Sequence, residues 1–203
     1  MRGPKSFEAA GEMFDGTRSA CNYSREALEY MVEHVKVGAE RAGRDWRQLD
    51  IGAAFHLFVG PDSKLVKAAA RAVMGILVPQ MSTEQLERNG FTSTELQPIM
   101  EAFRAGDFPA AMELVTPETA EKLAIAGTPD GVGSRLENLV TGTGVNHLIF
   151  IPLNGLIVKA FAGKDFDIPD VKQQLRLLHD GVMPRFWKEQ SKTEAEVCAA
   201  AVN

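Results

Sequence analysis

The chain has 203 residues, 45% of them hydrophobic and 24% charged, with a formal net charge of −5. That is the composition of a folded globular chain, and its acidic balance speaks against a general nucleic-acid binder, which needs a basic face. No apolar run approaches the roughly 18 residues that span a bilayer, so no membrane partner is expected. The 2 cysteines, Cys21 and Cys198, lie far apart and, with no apolar signal segment at the N-terminus, imply a reducing cytoplasm.

Gly3-Pro4 opens an amphipathic run, Ser6 to Met13, that closes at Asp15-Gly16. A Gly-Pro helix start of this kind normally follows a strand. Thr17 to Cys21 is the first strand, and Ser24 is the N-cap of the next helix. Leu28, Met31, Val32, Val35, Ala39 and Ala42 recur at helical spacing and predict one buried face. Gly43 ends that helix. Leu49 to Val59, "LDIGAAFHLFV", is apolar and almost unbroken, which suits a strand buried on both faces of a parallel sheet. Gly60-Pro61-Asp62-Ser63 is a turn. Leu65, Val66, Ala69, Ala70, Val73, Ile76 and Leu77 then mark another helix face.

Residues 79–126 read as a helical insertion with no strand. Ser82 with Gln85 and Thr92 with Glu95 have capping-box spacing, and Thr116-Pro117 sets a cap before a first-turn proline. Regularity returns at Thr128-Pro129, where Val132, Leu136, Leu139 and Val140 share a face until Gly142 and Gly144 break the helix. Val145 to Pro152 is the third strand, and Pro169 to Leu178 the final helix. One folded unit is therefore expected over residues 1–190, followed by a polar tail over 191–203. Strands alternating with helices predict an α/β fold with parallel strands and right-handed crossovers. Three such strands leave a bare sheet edge, which invites pairing.

Four stretches, in order, carry a family resemblance: "RGPKSFEAAGEMFDG" (2–16), "EYMVEHVKVGAERAGRD" (29–45), "LERNGF" (86–91) and "AIAGTPDGVGSRLENLVTGTGVNHLIF" (124–150). Together they resemble the C-terminal portion of the luciferase-like monooxygenase superfamily. Within it they are most similar to the deazaflavin-dependent reductases of the methylenetetrahydromethanopterin reductase type. The resemblance implies the last three parallel strands of a (β/α)8 TIM barrel, with the family's helical insertion. It further implies an oxidoreductase, or the C-terminal segment of one, moving hydride between coenzyme F420 or FMN and a small organic substrate. A monooxygenase using reduced FMN and oxygen is the near neighbour. The competing reading is a non-catalytic fragment or structural subunit. Either way the expected partner is a second copy or a complementing N-terminal chain.

In such a barrel, chemistry sits at the C-terminal ends of the strands. Gly3, Pro4, Lys5 and Ser6 are the candidate cofactor-binding residues. A helix N-terminus offers free amides to an anion, Lys5 and Ser6 add a charge and a hydroxyl, and the resemblance puts the cofactor's phosphate near this turn. His56, near the end of the second strand, is the candidate catalytic residue, as a hydrogen-bond donor to a flavin-like ring or a substrate; its structural alternative is a core histidine bonded to a carbonyl. Asn154 and Gly155, in the turn closing the last strand, are the candidate substrate contacts, though Asn-Gly is also a common turn. His147 falls at the opposite end of the sheet. No histidine spacing suggests a metal site.

Overall fold

The computed structural model describes residues 3–186 apart from 93, 153–154, 156–158, 161–162 and 164. The element order is α1 (Pro4–Met13), β1 (Gly16–Ala20), α2 (Arg25–Arg41), β2 (Asp50–Val59) and α3 (Ser63–Leu77). Short helices α4 (Thr83–Arg88), α5 (Gln97–Arg104), α6 (Phe108–Glu113) and α7 (Pro117–Leu123) follow. Then come β3 (Ile125–Gly127), α8 (Pro129–Val140), β4 (His147–Pro152) and α9 (Val171–Gly181).

The four strands form one sheet, and every pairing in it is parallel. β2 is its centre. Gly16–Ala20 run beside Asp50–Ala54, and Gly52–Leu57 run beside His147–Pro152. Gly52, Ala53 and Ala54 pair with both β1 and β4, so those two strands take opposite edges of β2. β3 pairs with Leu57–Val59, on the β1 side and beyond the end of β1. This strand was not legible in the sequence. Three residues at the end of the 79–126 stretch give too short a run to show alternation, and it is the sheet edge that makes them extended.

Local signals placed most boundaries correctly. Ser24 Oγ accepts from the Ala27 N–H at 3.1 Å. Ser82 and Gln85 make both halves of a capping box. Thr116 and Thr128 cap α7 and α8, each followed by proline in the first turn. Gly43, with φ of +67°, turns the chain out of α2. Thr92 does bond Glu95, yet the helix there begins only at Gln97. The predicted apolar faces also need two corrections. Ala42 lies past the end of α2 and is exposed. Leu65 is exposed while Met74 and Gly75 are buried, because α3 is covered by α6 and α7 as well as by the sheet.

Strand residues alternate between two faces, and the two faces of this sheet differ. Thr17, Ser19, Ile51, Ala53, Phe55, Leu57 and Val59 are buried on the helix-covered side. Leu148 and Phe150 pack against that core. The other face carries Arg18, Ala20, Asp50, His56, His147, Ile149 and Ile151, none of them buried and none joined to the core cluster. Along β2 the same face also carries Gly52, Ala54 and Phe58, which are buried, Phe58 within the core cluster, so the less covered part of this face is formed by β1, β4 and His56. Near the start of the strands this face holds an ionic group: Arg18 donates to Asp50 Oδ2 at 3.1 Å, and His147 Nδ1 lies 3.0 Å from Asp50 Oδ1.

The family-like glycines have steric explanations. A Cβ at Gly11 would lie 2.0 Å from the Val35 carbonyl oxygen, and one at Gly16 would lie 2.1 Å from that of Asp50. Gly11 lets α1 and α2 touch through their main chains, and Gly16 lets β1 start flush against β2. Gly16 is thus a packing residue, while Asp15 beside it is exposed.

Candidate functional site at the C-terminal ends of the strands

α1 and α2 run the same way. Glu8 reaches His34 at 3.1 Å and Arg41 at 3.1 Å, while Arg44, past the end of α2, bonds the carbonyls of Gly11 and Phe14 at 2.9 and 2.8 Å. Hydrogen bonds from Arg41 first and His34 second hold the Glu8 carboxyl below its usual range. Because α2 begins where β1 ends, the N-termini of both helices point toward the C-terminal end of the sheet. Gly3–Ser6 therefore lie toward the same end as His56.

At the start of α1, Ser6 Oγ donates to the Gly3 carbonyl at 2.8 Å and accepts from the Gly3 N–H at 3.3 Å. Its hydroxyl closes the turn, a job the sequence reading had not assigned to it. Lys5 is exposed. Gly3 has an extended backbone that any residue adopts, and nothing lies within 4 Å of where its Cβ would be.

His56 sits on the uncovered face and is half-buried. Its Nδ1 lies 2.6 Å from Tyr23 Oη. The structural alternative weighed from sequence, a core histidine bonded to a carbonyl, is thus replaced by a side-chain pair. Burial pulls the imidazole below its ordinary value and pushes the Tyr23 phenol above its own. Both groups are therefore uncharged near neutral pH. Tyr23 itself is 4% exposed, and its ring tilts against Phe55 at a centroid distance of 6.3 Å.

Tyr23 belongs to the turn after β1, and that turn is gripped from the insertion. Asn89, just past α4, accepts the Tyr23 N–H at 2.7 Å and donates to the Cys21 carbonyl at 2.9 Å and the Gln85 carbonyl at 2.7 Å. Ser24 Oγ donates to the Arg88 carbonyl at 2.8 Å. Between those contacts Cys21 adopts φ of +67°, uncommon for a residue with a side chain. Sequence reasoning missed Tyr23 and Asn89. The only trace of Asn89 was its place in "LERNGF"; nothing marked Tyr23, 66 residues away. Gly155 lies near Ile168; Asn154 lies outside the described residues.

A cavity of about 860 Å³ opens elsewhere, between α3, α7, β3 and α8. Its cations are already engaged. Arg71 donates to the Val115 and Glu113 carbonyls, Arg135 to that of Ala124 at 2.7 Å, and Lys67 pairs with Glu121 at 2.7 Å. These contacts stitch the ends of α6 and α7 to their neighbours. The cavity holds no acid–base pair like Tyr23 and His56, so the strand ends are the better candidate despite its size.

Comparison with known proteins gives a consistent result. A family model for luciferase-like monooxygenases matches residues 2–147. The 5,10-methylenetetrahydromethanopterin reductase of Methanolobus tindarius is 32% identical over 149 residues, 73% of this chain and 45% of the relative. That of Methanopyrus kandleri is 26% identical over 185 residues, 91% of this chain and 49% of the relative. The solved structure of the coenzyme F420-dependent tetrahydromethanopterin reductase from Methanopyrus kandleri superimposes with a TM-score of 0.75 over 92% of this chain and 49% of that one. An F420-dependent secondary alcohol dehydrogenase, 19% identical with a TM-score of 0.60, shares the fold. The chain spans about half the length of the curated relatives it matches.

Proposed function

The chain belongs to the luciferase-like monooxygenase family, and on that footing we propose that it is the C-terminal part of an F420-dependent oxidoreductase whose site lies on the uncovered face of the sheet. The observation that carries this reading is the asymmetry of the sheet. One face is sealed by helices, while the other presents His56, Ala20, Ile149 and Ile151 only partly buried and outside the core cluster. In a closed (β/α)8 barrel that second face is the interior, and catalytic groups emerge at its C-terminal end. Further β/α units, from the same polypeptide or from a second chain, would complete the wall.

The residues present fit a deazaflavin. The unobstructed Cβ position of Gly3 and the exposed Lys5 suit a negatively charged cofactor tail, while the Gly3, Ser6 and Phe7 N–H groups are bonded within the turn. His56 and the apolar side chains of β4 suit one side of a planar ring. When bound, the coenzyme supplies hydride-transfer chemistry. This chain's own residues would bind the tail, flank the ring and present a neutral imidazole beside it. The F420 dependence of the Methanopyrus kandleri reductase favours that cofactor over FMN.

Fluorescence titration of the purified chain with F420 and with FMN tests the proposal. Because an open half-site buries little of a ligand, saturable F420 binding is expected with Kd weaker than about 10 µM, and FMN binding weaker still. Absence of saturable binding of either at about 1 mM overturns it. FMN binding more tightly than F420 would move the assignment to a flavin enzyme.

A further inference from the structure

The Tyr23–His56 contact leaves a question of direction, and burial answers it. Tyr23 Oη has one side-chain partner able to accept its proton among the described residues, His56 Nδ1, at 2.6 Å; the His56 main-chain N–H also reaches the phenol oxygen, as a donor. If the phenol accepted a proton from Nδ1, its own O–H would be left without a partner at a residue only 4% exposed. A buried unpaired donor is unfavourable by about 1–3 kcal/mol. Donation from Tyr23 to Nδ1 uses that proton and leaves the ring hydrogen on Nε2. His56 Nε2 has no partner among the described residues and is not among the sealed, unpaired polar atoms, so it remains accessible.

The phenol can do this only if the turn that carries it is fixed. Asn89 fixes it by bonding on both sides of Asn22, to the Cys21 carbonyl and to the Tyr23 N–H. The bond to the Gln85 carbonyl ties Asn89 in turn to α4, and its donors and acceptor are all used. Ser24 adds a second tie through Arg88. A chain of direct contacts thus runs from the helical insertion to the imidazole.

We infer that Asn89 and Tyr23 are positioning residues that hold His56 as the Nε2–H tautomer, a neutral hydrogen-bond donor on the uncovered sheet face, suited to a carbonyl oxygen or ring nitrogen of cofactor or substrate. The donor's role rests on the cofactor reading above; the tautomer and its cause do not. An acceptor atom that gains negative charge during hydride transfer would be met by this N–H without a change in net charge. It also gives the insertion a place in the site, through one asparagine.

Nitrogen-15 NMR of histidine in the intact chain tests the inference. The His56 spectrum should show an unprotonated Nδ1 and a protonated Nε2. Tyr23→Phe keeps the ring against Phe55 and removes only the hydroxyl. It should populate the Nδ1–H form and raise the His56 titration midpoint, since the bond that favoured the neutral ring is gone. Asn89→Asp keeps the acceptor for the Tyr23 N–H and loses both donors; it should shift His56 the same way by less. Thermal melts of both variants report whether the fold is retained. An Nδ1–H tautomer in the unaltered chain, or a folded Tyr23→Phe variant with unchanged His56 nitrogen shifts, overturns the positioning inference. An Nε2–H resonance unmoved by F420 bound elsewhere on the chain overturns the cofactor reading instead and leaves the positioning intact.

Discussion

Gly38 of α2 meets the main chain of α1 so closely that a Cβ there would lie 1.9 Å from the Glu8 carbonyl oxygen. Gly11, on the other helix, makes the reciprocal approach to Val35. A methyl group at Gly38 must push the helices apart, and the movement would disturb the Glu8–His34 and Glu8–Arg41 pairs built on the same crossing. Gly38→Ala is therefore expected to destabilise the chain by about 2 kcal/mol or more, as overpacking against backbone does. Gly3→Ala, with open space at its Cβ, should leave the melting temperature unchanged and weaken F420 binding. Thermal denaturation of the two variants side by side checks both halves.

The two faces of β4 give a paired test. Leu148 packs on the core and Ile149, its neighbour, points to the uncovered face. Leu148→Lys should destabilise by about 2 kcal/mol or more, because it drives a charge into packed side chains. Ile149→Lys should change stability by less than about 0.5 kcal/mol, as surface substitutions do, while weakening cofactor binding. Denaturant unfolding and F420 titration of both proteins read this out. Equal loss of stability would mean that the second face is already covered.

A third expectation concerns acid. Burial holds His56 below its ordinary value of about 6.5. As pH falls through about 6.5, the unfolded chain takes up a proton that the folded chain refuses until lower pH. Stability linked to this group is therefore fully present above the unfolded value and is lost as pH drops toward the folded one. His56→Gln should flatten the stability curve as pH falls below about 6.5. Glu8, Glu84, Glu95 and Glu118 are also lowered, each from 4.5, so their losses come at lower pH and persist in the variant. Chemical denaturation of both proteins from pH 8 to pH 4 measures the difference.

The parallel order was legible because β2 and β4 are apolar runs between helices and β1 is a short segment between the Asp15-Gly16 break and the Ser24 cap. The glycines of "AGEMFDG" were visible as motif, but their cause, main-chain contact with Val35 and Asp50, exists only in three dimensions. β3 was hidden because three residues carry no period. His56 could be named from its place at the end of a strand. Its partner could not, since Tyr23 reaches it across 33 residues and is held by Asn89 from 66 residues away. Contacts of that range leave no mark on local pattern.

Mapping where F420 binds tests the central claim most directly. Backbone and histidine resonances of the labelled chain, followed during F420 titration, should move at Gly3, Lys5, Ser6 and Phe7 and at His56. They should stay fixed at Lys67, Arg71 and Arg135. Movement confined to the cavity between α3 and α8, with Gly3–Phe7 and His56 unchanged, would contradict the account.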